Sequence, residues 1–531
     1  MNEYQKLIKF SPKNDIIIYS ADNIEDKSQI PKLLNVSLLF KPYFFIKLFL
    51  FLLLSSYIYF VLFNPNLNIN KKQSLIYAIK KNIDDTKNNK KFKDAPVCDN
   101  DLDPIHLFNI RLKHDPITIC KKGKSKHVCY QNSNNDYYNE IYYYKKGVVC
   151  IMENIIINPL KSQQTNIIYK GPVDNKNLGF PILSKGFFNM NCINNKQFED
   201  YNNVYDFYFK SWEYKYKSIN EENIEELAPN KTILFLSRNQ DSPNLFHGNS
   251  EIINAISLMY LFDLNPENIQ VIFLESMNLK DDPLYEIYKN LISRGGEPIY
   301  IKDLKQKYHI SSAIHVPINW DSPCFITSQY PECNNPTKAY KLYLDLIDKY
   351  LNIPHFNDSF ISDDTIFYYP KSVIKNHKLK TIFNKTVTIQ WRKVWPKGRK
   401  GQFRILGNGP ELADKLASIL PKNILIRLVD TANLPMNEQI SIMRKTDYLV
   451  GIHGAGLSLS IFLPNNSILH EILPTENMKV LTLMSALSGH KTYSDIIDAE
   501  INNFGDSENV FFNPDNFTES VFNHMKENDY F

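Results

Sequence analysis

Residues Asp447–Pro474 read D-Y-L-V-G-I-H-G-A-G-L-S-L-S-I-F-L-P-N-N-S-I-L-H-E-I-L-P. Tyr448–Ile452 is an apolar run of strand length. His453-Gly454-Ala455-Gly456 follows at once, with little or no side chain at three of the four positions, so a ligand can approach the backbone closely. Leu457–Leu463 then reads as a short helix stopped by Pro464. A strand, a small-residue turn and a helix N-terminus make an anion site, because N–H groups without intrahelical partners and the positive end of the peptide dipoles converge there. A second apolar strand, Ser467–Ile472, sets Glu471 near its carboxyl end, the edge where open α/β sheets bind ligands. A carboxylate at that edge suits a diol such as a ribose, whose two hydroxyls both donate.

The flanking chain repeats this rhythm. Strand 386–392, helix Pro410–Ile419, strand Ile424–Val429 and helix Asn437–Arg444 lead into the quoted stretch, and helices to Leu487 and over Thr518–Lys526 follow it. Upstream, Thr232–Ser237, Gln270–Glu275, Pro298–Ile301 and Ala313–Pro317 read as strands. Helical runs to Phe262, over Leu284–Ser293 and over Pro336–Leu351 separate or follow them. The alternation predicts two doubly wound α/β units divided in the polar, irregular stretch Phe356–Tyr369. Cys120–Lys217 has no clean period.

Three further groups bear on chemistry. Arg392–Arg404, R-K-V-W-P-K-G-R-K-G-Q-F-R, starts at the end of a strand and concentrates cations that can neutralise phosphate oxygens. The bland reading is a solvated basic loop. Asn244-Leu245-Phe246-His247 with Glu251 puts His247 and Glu251 one helical turn apart, a pair that can act as a base or simply sit behind an N-cap on a solvent face. Asp99, Asp101 and Asp103 alternate after Cys98, but Pro104 and Ile110 stand where a calcium loop needs Gly and Glu, so no metal site is expected. Gly407-Asn408-Gly409 lacks the third glycine of a dinucleotide fingerprint, which removes the oxidoreductase reading.

V-G-I-H-G-A-G-L at 450–457, with F-L-P at 462–464 and H-E-I-L-P at 470–474, resembles the signature of glycosyltransferase family 61. These are Golgi and ER enzymes that include plant xylosyl- and arabinosyltransferases and animal O-linked GlcNAc transferases. The resemblance extends through much of the C-terminal half and returns near Asn244. It implies a GT-B-like fold, two Rossmann-like domains facing a cleft. It also implies an inverting transfer from a UDP-sugar, with GlcNAc ahead of xylose or another pentose, to a glycoprotein or glycan hydroxyl. With no convincing carboxylate pair in the sequence and the arginines of 392–404 able to act as counter-charge, the transfer is expected to be metal-independent and to need no cofactor. The residues matching its pattern are Arg392 and Arg404 for the diphosphate, His453, Gly454, Ala455, Gly456 and Ser458 for the donor turn, Glu471 for the ribose, and Glu251 or His247 for the catalytic base. Relatives commonly carry Thr-Asn where this chain has Ser458-Leu459, and Asp where it has Glu251. Those departures motivate a second expectation, an inactive member that binds or scaffolds glycans.

The chain as a whole fits a membrane-anchored secretory protein. Tyr43–Phe63 is apolar except for Lys47, Ser55 and Ser56, and a helix of that length spans roughly 30 Å, one hydrocarbon thickness. The expected order is a cytosolic tail at 1–42, a signal anchor at 43–63 and a stem at 64–94. An acceptor-side α/β domain at 95–370 and a nucleotide-sugar-binding domain at 371–531 follow. Lysines flank the anchor on both sides, so the luminal placement of the body rests on seven cysteines after the span and on sequons at Asn230, Asn357, Asn384, Asn465 and Asn516. The cysteines are read as disulfides of an oxidising lumen, with scattered thiols as the alternative. The expectation is a type II protein of the Golgi or ER membrane. A net charge of +4 over 531 residues gives no reason to expect nucleic acid.

Overall fold

The apolar runs of the two halves align into two sheets with parallel centres. The computed structural model describes residues 103–531 apart from 114–115, 132–147, 164–181, 195–210, 215–223, 238–243, 275–282, 318–332, 334, 355–365, 370–382, 394–403, 474–479 and 505–506. The expected tail, anchor Tyr43–Phe63 and stem lie outside these. Among the described residues no helix is long and apolar enough to cross a membrane. Asp94–Phe531 form one compact unit.

Helix Pro104–Lys113 (α1) opens the described chain. Asp103 caps it: Oδ1 accepts from Ile105 N at 2.6 Å, while Oδ2 accepts from Ala339 N at 3.1 Å. Asp103 is therefore a helix cap, while Asp99 and Asp101 lie outside the described residues. The first sheet contains Lys126–Gln131 (β1), Val148–Ile157 (β2), Thr232–Leu236 (β3), Ile269–Phe273 (β4), Ile299–Tyr300 (β5) and Tyr308–His315 (β6) in the order β1-β2-β6-β3-β4-β5. The run from β6 to β5 is parallel, and β1 and β2 join it antiparallel. Helix Leu245–Leu261 (α2) connects β3 to β4, and Lys338–Tyr350 (α3) follows β6. Strand β6 begins five residues earlier than the apolar run at Ala313 announces, because Tyr308–Ser312 pairs with β2 despite its polar residues. The expected helix Leu284–Ser293 is a short α-turn continued as a π-turn over Tyr288–Ile292.

The second sheet is built from Ile366–Tyr369 (β7), Lys385–Gln390 (β8), Ile424–Val429 (β9), Tyr448–Ile452 (β10), Ile468–Leu473 (β11) and Lys491–Ile496 (β12), in the order β7-β9-β8-β10-β11-β12. All its pairings are parallel except β7 with β9. Strand β7 lies inside the stretch that reads as irregular; it is an edge strand, so nothing forces a long apolar run. Helices Gly409–Ile419 (α4), Met436–Met443 (α5), Val480–Leu487 (α6) and Pro514–Glu527 (α7), with a small three-stranded sheet of Ile405–Leu406, Ser507–Phe512 and Ala499–Phe504, complete this half.

β9 lies on one side of β8 and β10 on the other. The crevice outside the carboxyl ends of β8 and β10 is thus a topological switch point, where no crossover covers the sheet edge. The first sheet has a corresponding point between β3 and β6. One apolar cluster runs from the first sheet (Leu234, Val271) through α2 and α3 to the second (Val429, Leu449, Leu469), and each sheet has a further cluster on its other face.

Disulfides Cys120–Cys192 and Cys129–Cys150 fasten the short strands around β1 and β2, and Cys333 is disulfide-bonded too. The scattered-thiol alternative fails for these five cysteines. Asn230, Asn384, Asn465 and Asn516 are exposed; Asn357 lies outside the described residues.

Candidate active site

The residues singled out around the second sheet converge on its switch point. Arg392 follows β8 and His453 follows β10. Arg392 Nη1 donates to the His453 carbonyl at 3.2 Å. Gly454 makes this approach possible, since a Cβ there would lie 1.7 Å from Arg392 Nη1. Its φ of 167° is extended backbone open to any residue, so the requirement is for space, not conformation. Gly456 answers a second contact, because its Cβ would stand 2.5 Å from Gln390 Nε2. Gln390 in turn donates to Thr431 Oγ1 at 3.1 Å, which locks the floor of the turn to the loop after β9. Neither Gln390 nor Thr431 carries a sequence signal. Their role depends on the strand order.

The helix expected over Leu457–Leu463 is instead a 3-10 helix over Ala455–Phe462. Leu457 N donates to Gly454 O at 2.9 Å, so the N–H groups ahead of it have no intrahelical carbonyl. Ser458 is buried and its hydroxyl donates to Ala455 O at 2.7 Å, holding its own turn together.

Glu471 lies in β11, in register with Gly451 of β10. Its side chain is completely buried, and Oε1 is hydrogen-bonded to His453 Nδ1. A histidine held at Nδ1 by a carboxylate is fixed in ring orientation and tautomer, with Nε2 left for a ligand. The second carboxylate oxygen, Oε2, is buried with no hydrogen-bond partner among the described residues, and so is Arg404 Nε. Arg404 sits close enough to sense the same carboxylate. Burial pushes its guanidinium below the ordinary value, while Glu508 and Glu471 pull it back up. Arg404 also has φ 68°, a left-handed conformation that a residue with a Cβ adopts at a cost. Lys393 stacks on Trp391, its Nζ 3.9 Å from the ring centroid, while Lys397, Arg399 and Lys400 lie outside the described residues.

The other candidates stand on α2. Asn244 is its N-cap, with Oδ1 accepting from Phe246 N at 3.0 Å. His247 is half-buried in the first turn. Glu251, one turn on, is 2% exposed and accepts from Tyr288 OH at 3.3 Å, so it does not lie on a solvent face. Helix α2 packs directly against the 3-10 helix after the glycine turn, and Tyr343 of α3 bridges them by donating to Asn249 and placing its ring 5.8 Å from that of Phe462.

Residues 300–469 match the family model described as Glycosyltransferase 61. The chain carries a glycosyltransferase 61 region. That region contains Arg392, Arg404 and the turn His453–Gly456; Glu471 lies just beyond it, and His247 and Glu251 lie before it. A stretch of 64 residues is 36% identical to the "EGF domain-specific O-linked N-acetylglucosamine transferase" of Drosophila melanogaster, covering 12% of this chain and 12% of that relative. The glycosyltransferase 61 region thus coincides with the switch-point crevice, although the match to that relative is short.

Proposed function

We propose that the protein is an inverting glycosyltransferase that moves a sugar, GlcNAc ahead of xylose or another pentose, from a UDP-sugar to a glycoprotein or glycan hydroxyl, without a catalytic metal. The observation that carries this reading is the switch-point crevice, where Arg392 is held over Gly454 beside the His453–Glu471 pair. In the transfer, the acceptor oxygen bonds to the sugar's anomeric carbon. The bond from that carbon to the β-phosphate oxygen breaks, and UDP leaves with the electron pair. Arg392 and Arg404 supply the counter-charge that a bound cation supplies elsewhere. His453, whose Nδ1–H is held by Glu471, presents Nε2 as an acceptor for a sugar hydroxyl. Arg404 Nε and Glu471 Oε2 are a buried donor and acceptor without protein partners among the described residues, and a ribose hydroxyl can satisfy either. His247, the more exposed of the pair on α2, takes the acceptor proton, with Glu251 behind it.

The switch points of the two sheets support a GT-B-like pair of lobes, acceptor side at 95–370 and donor side at 371–531. Five disulfide-bonded cysteines and four exposed sequons support a luminal body behind the anchor Tyr43–Phe63, in Golgi or ER membrane. The burial of Glu251 favours one alternative, a member that binds donor or glycan without turnover.

The test is UDP release by the full-length chain in detergent, with a panel of UDP-sugars and glycopeptide acceptors, in buffer free of Mg²⁺ and Mn²⁺. Release from one donor, unchanged by either ion and lowered about 100-fold or more in Arg392→Ala, supports the enzyme. A requirement for added Mg²⁺ or Mn²⁺ overturns the metal-free transfer. UDP binding that Arg392→Ala abolishes, with no release from any pairing, favours the non-catalytic alternative.

A further inference from the structure

His470 and Glu471 are neighbours in β11, so their side chains leave opposite faces of the second sheet. Glu471 serves the donor turn. His470 enters a separate cluster under α7, which the transfer reaction does not use. His470 Nε2 lies 3.1 Å from Asp495 Oδ2 on β12, and His524 Nε2 of α7 lies 2.9 Å from the same oxygen. Ser520 Oγ, one turn before His524, donates to that oxygen and lies 3.4 Å from His470 Nε2. The far ring nitrogens are held as well: His470 Nδ1 is 2.8 Å from Tyr448 OH, and His524 Nδ1 is 3.2 Å from Glu527 Oε2.

We propose that His470, Asp495 and His524 bind a zinc ion that pins the C-terminal helix to the edge of the second sheet. The three ligand atoms lie within 4.8 Å of one another. Tetrahedral zinc with bonds of about 2.0–2.2 Å sets its ligand atoms about 3.3 Å apart, so the two measured spacings need to open by only a few tenths of an ångström. Two imidazoles and one carboxylate are a borderline set that suits zinc, with a water or the Ser520 hydroxyl as fourth ligand. Each imidazole has its other nitrogen against an oxygen, the outer contact that fixes ligating histidines in zinc sites.

His470 Nε2, His524 Nε2 and Ser520 Oγ all converge on the one oxygen Oδ2 of Asp495, so an ion seated among them meets ligand atoms already gathered from β11, β12 and α7. His470 is fully buried, and Asp495 and His524 are 31% and 18% exposed, which leaves the ion a path of entry. Among the described residues one other group has this spacing, His127 with Cys129 and Cys150. Its cysteines are joined to each other and offer no thiolate.

This inference is independent of the proposed transfer, because its readouts are metal content and folding. The tag-free, full-length chain is purified without added metal, loaded with Zn²⁺, passed through gel filtration and assayed for bound zinc and thermal stability. About one retained zinc per chain is expected, together with a rise in Tm, since zinc at 100-fold over its Kd multiplies the folding constant about 100-fold. His524→Gln, a change near the surface, and Asp495→Asn should each abolish retention and the Tm rise. No retained zinc and no Zn²⁺-dependent shift in the wild-type chain overturns the proposal, whatever the variants do. So does zinc retained equally by His524→Gln, which would place the ion elsewhere.

Discussion

At the scale of single residues, the crevice depends on two positions whose requirements differ in kind. Gly454 is needed for space. In Gly454→Ala the new methyl would overlap Arg392 Nη1, at 1.7 Å, so the guanidinium must leave the His453 carbonyl. We expect the Kd for UDP to rise at least about tenfold, which is about 1.4 kcal/mol, measured by calorimetry on the folded variant. An unchanged Kd would remove Arg392 from donor binding. Arg404 is held in a conformation that glycine prefers, at φ 68°. Arg404→Gly relieves backbone strain of about 1 kcal/mol while deleting the cation. Stability should therefore hold, with Tm within about 2 °C of wild type, while UDP affinity falls by about tenfold or more. A stable variant that binds UDP normally would leave the strain without a functional reason. The conformation of Arg404 is invisible in sequence, since nothing local demands it. The His453–Glu471 bond is half-visible: the residue types were legible, but the parallel register of β10 and β11 is what brings them together.

At the scale of elements, legibility followed burial. β9, β10 and β11 are buried at every residue, so they stand out as mainly apolar runs, interrupted by Arg427 in β9 and by His470 and Glu471 in β11. Strands of two or three residues such as Ile117–Thr118 and Phe188–Met190 offer too few positions for any period to show. They are held by a branched sheet and by the Cys120–Cys192 and Cys129–Cys150 links, all non-local. The 3-10 helix reads as an α-helix because its residues are buried on every side, so no polar stripe reports its period. Helix α2 was legible by its start: Asn244 and a run of apolar residues behind it. That cap carries a prediction. Asn244→Ala removes the acceptor for Phe246 N and His247 N and should cost about 1 kcal/mol. Amide exchange at those two residues should quicken while the interior of α2 stays protected, and turnover, if His247 is the base, should drop with it. Unaltered exchange at Phe246 and His247 would show that packing alone fixes the first turn.

At the scale of the whole molecule, the strongest commitment is to histidines kept neutral. His127 and His315 are 0% exposed and His490 is 2% exposed. Burial lowers His490 to about 4 and each of the others to about 3, from an ordinary value of 6.5. Between those limits the unfolded chain binds protons that the folded chain refuses, so stability rises with pH across the window. It is complete above about 6.5 and is lost as pH falls toward the folded values, at about 1.4 kcal/mol per pH unit for each histidine. His490 isolates one share of this effect. Neither of its ring nitrogens has a hydrogen-bond partner among the described residues, so an apolar ring of similar size sacrifices no such bond there. His490→Phe should match wild type within about 1 kcal/mol at pH 7.5. Its stability, read from urea midpoints, should then decline less steeply than wild type between pH 6.5 and 4, by about 1.4 kcal/mol per pH unit. Parallel profiles for the two proteins would mean that the folded chain accepts a proton at His490 as readily as the unfolded one. The acid sensitivity would then originate in the other histidines that burial lowers, His127, His315 and His470.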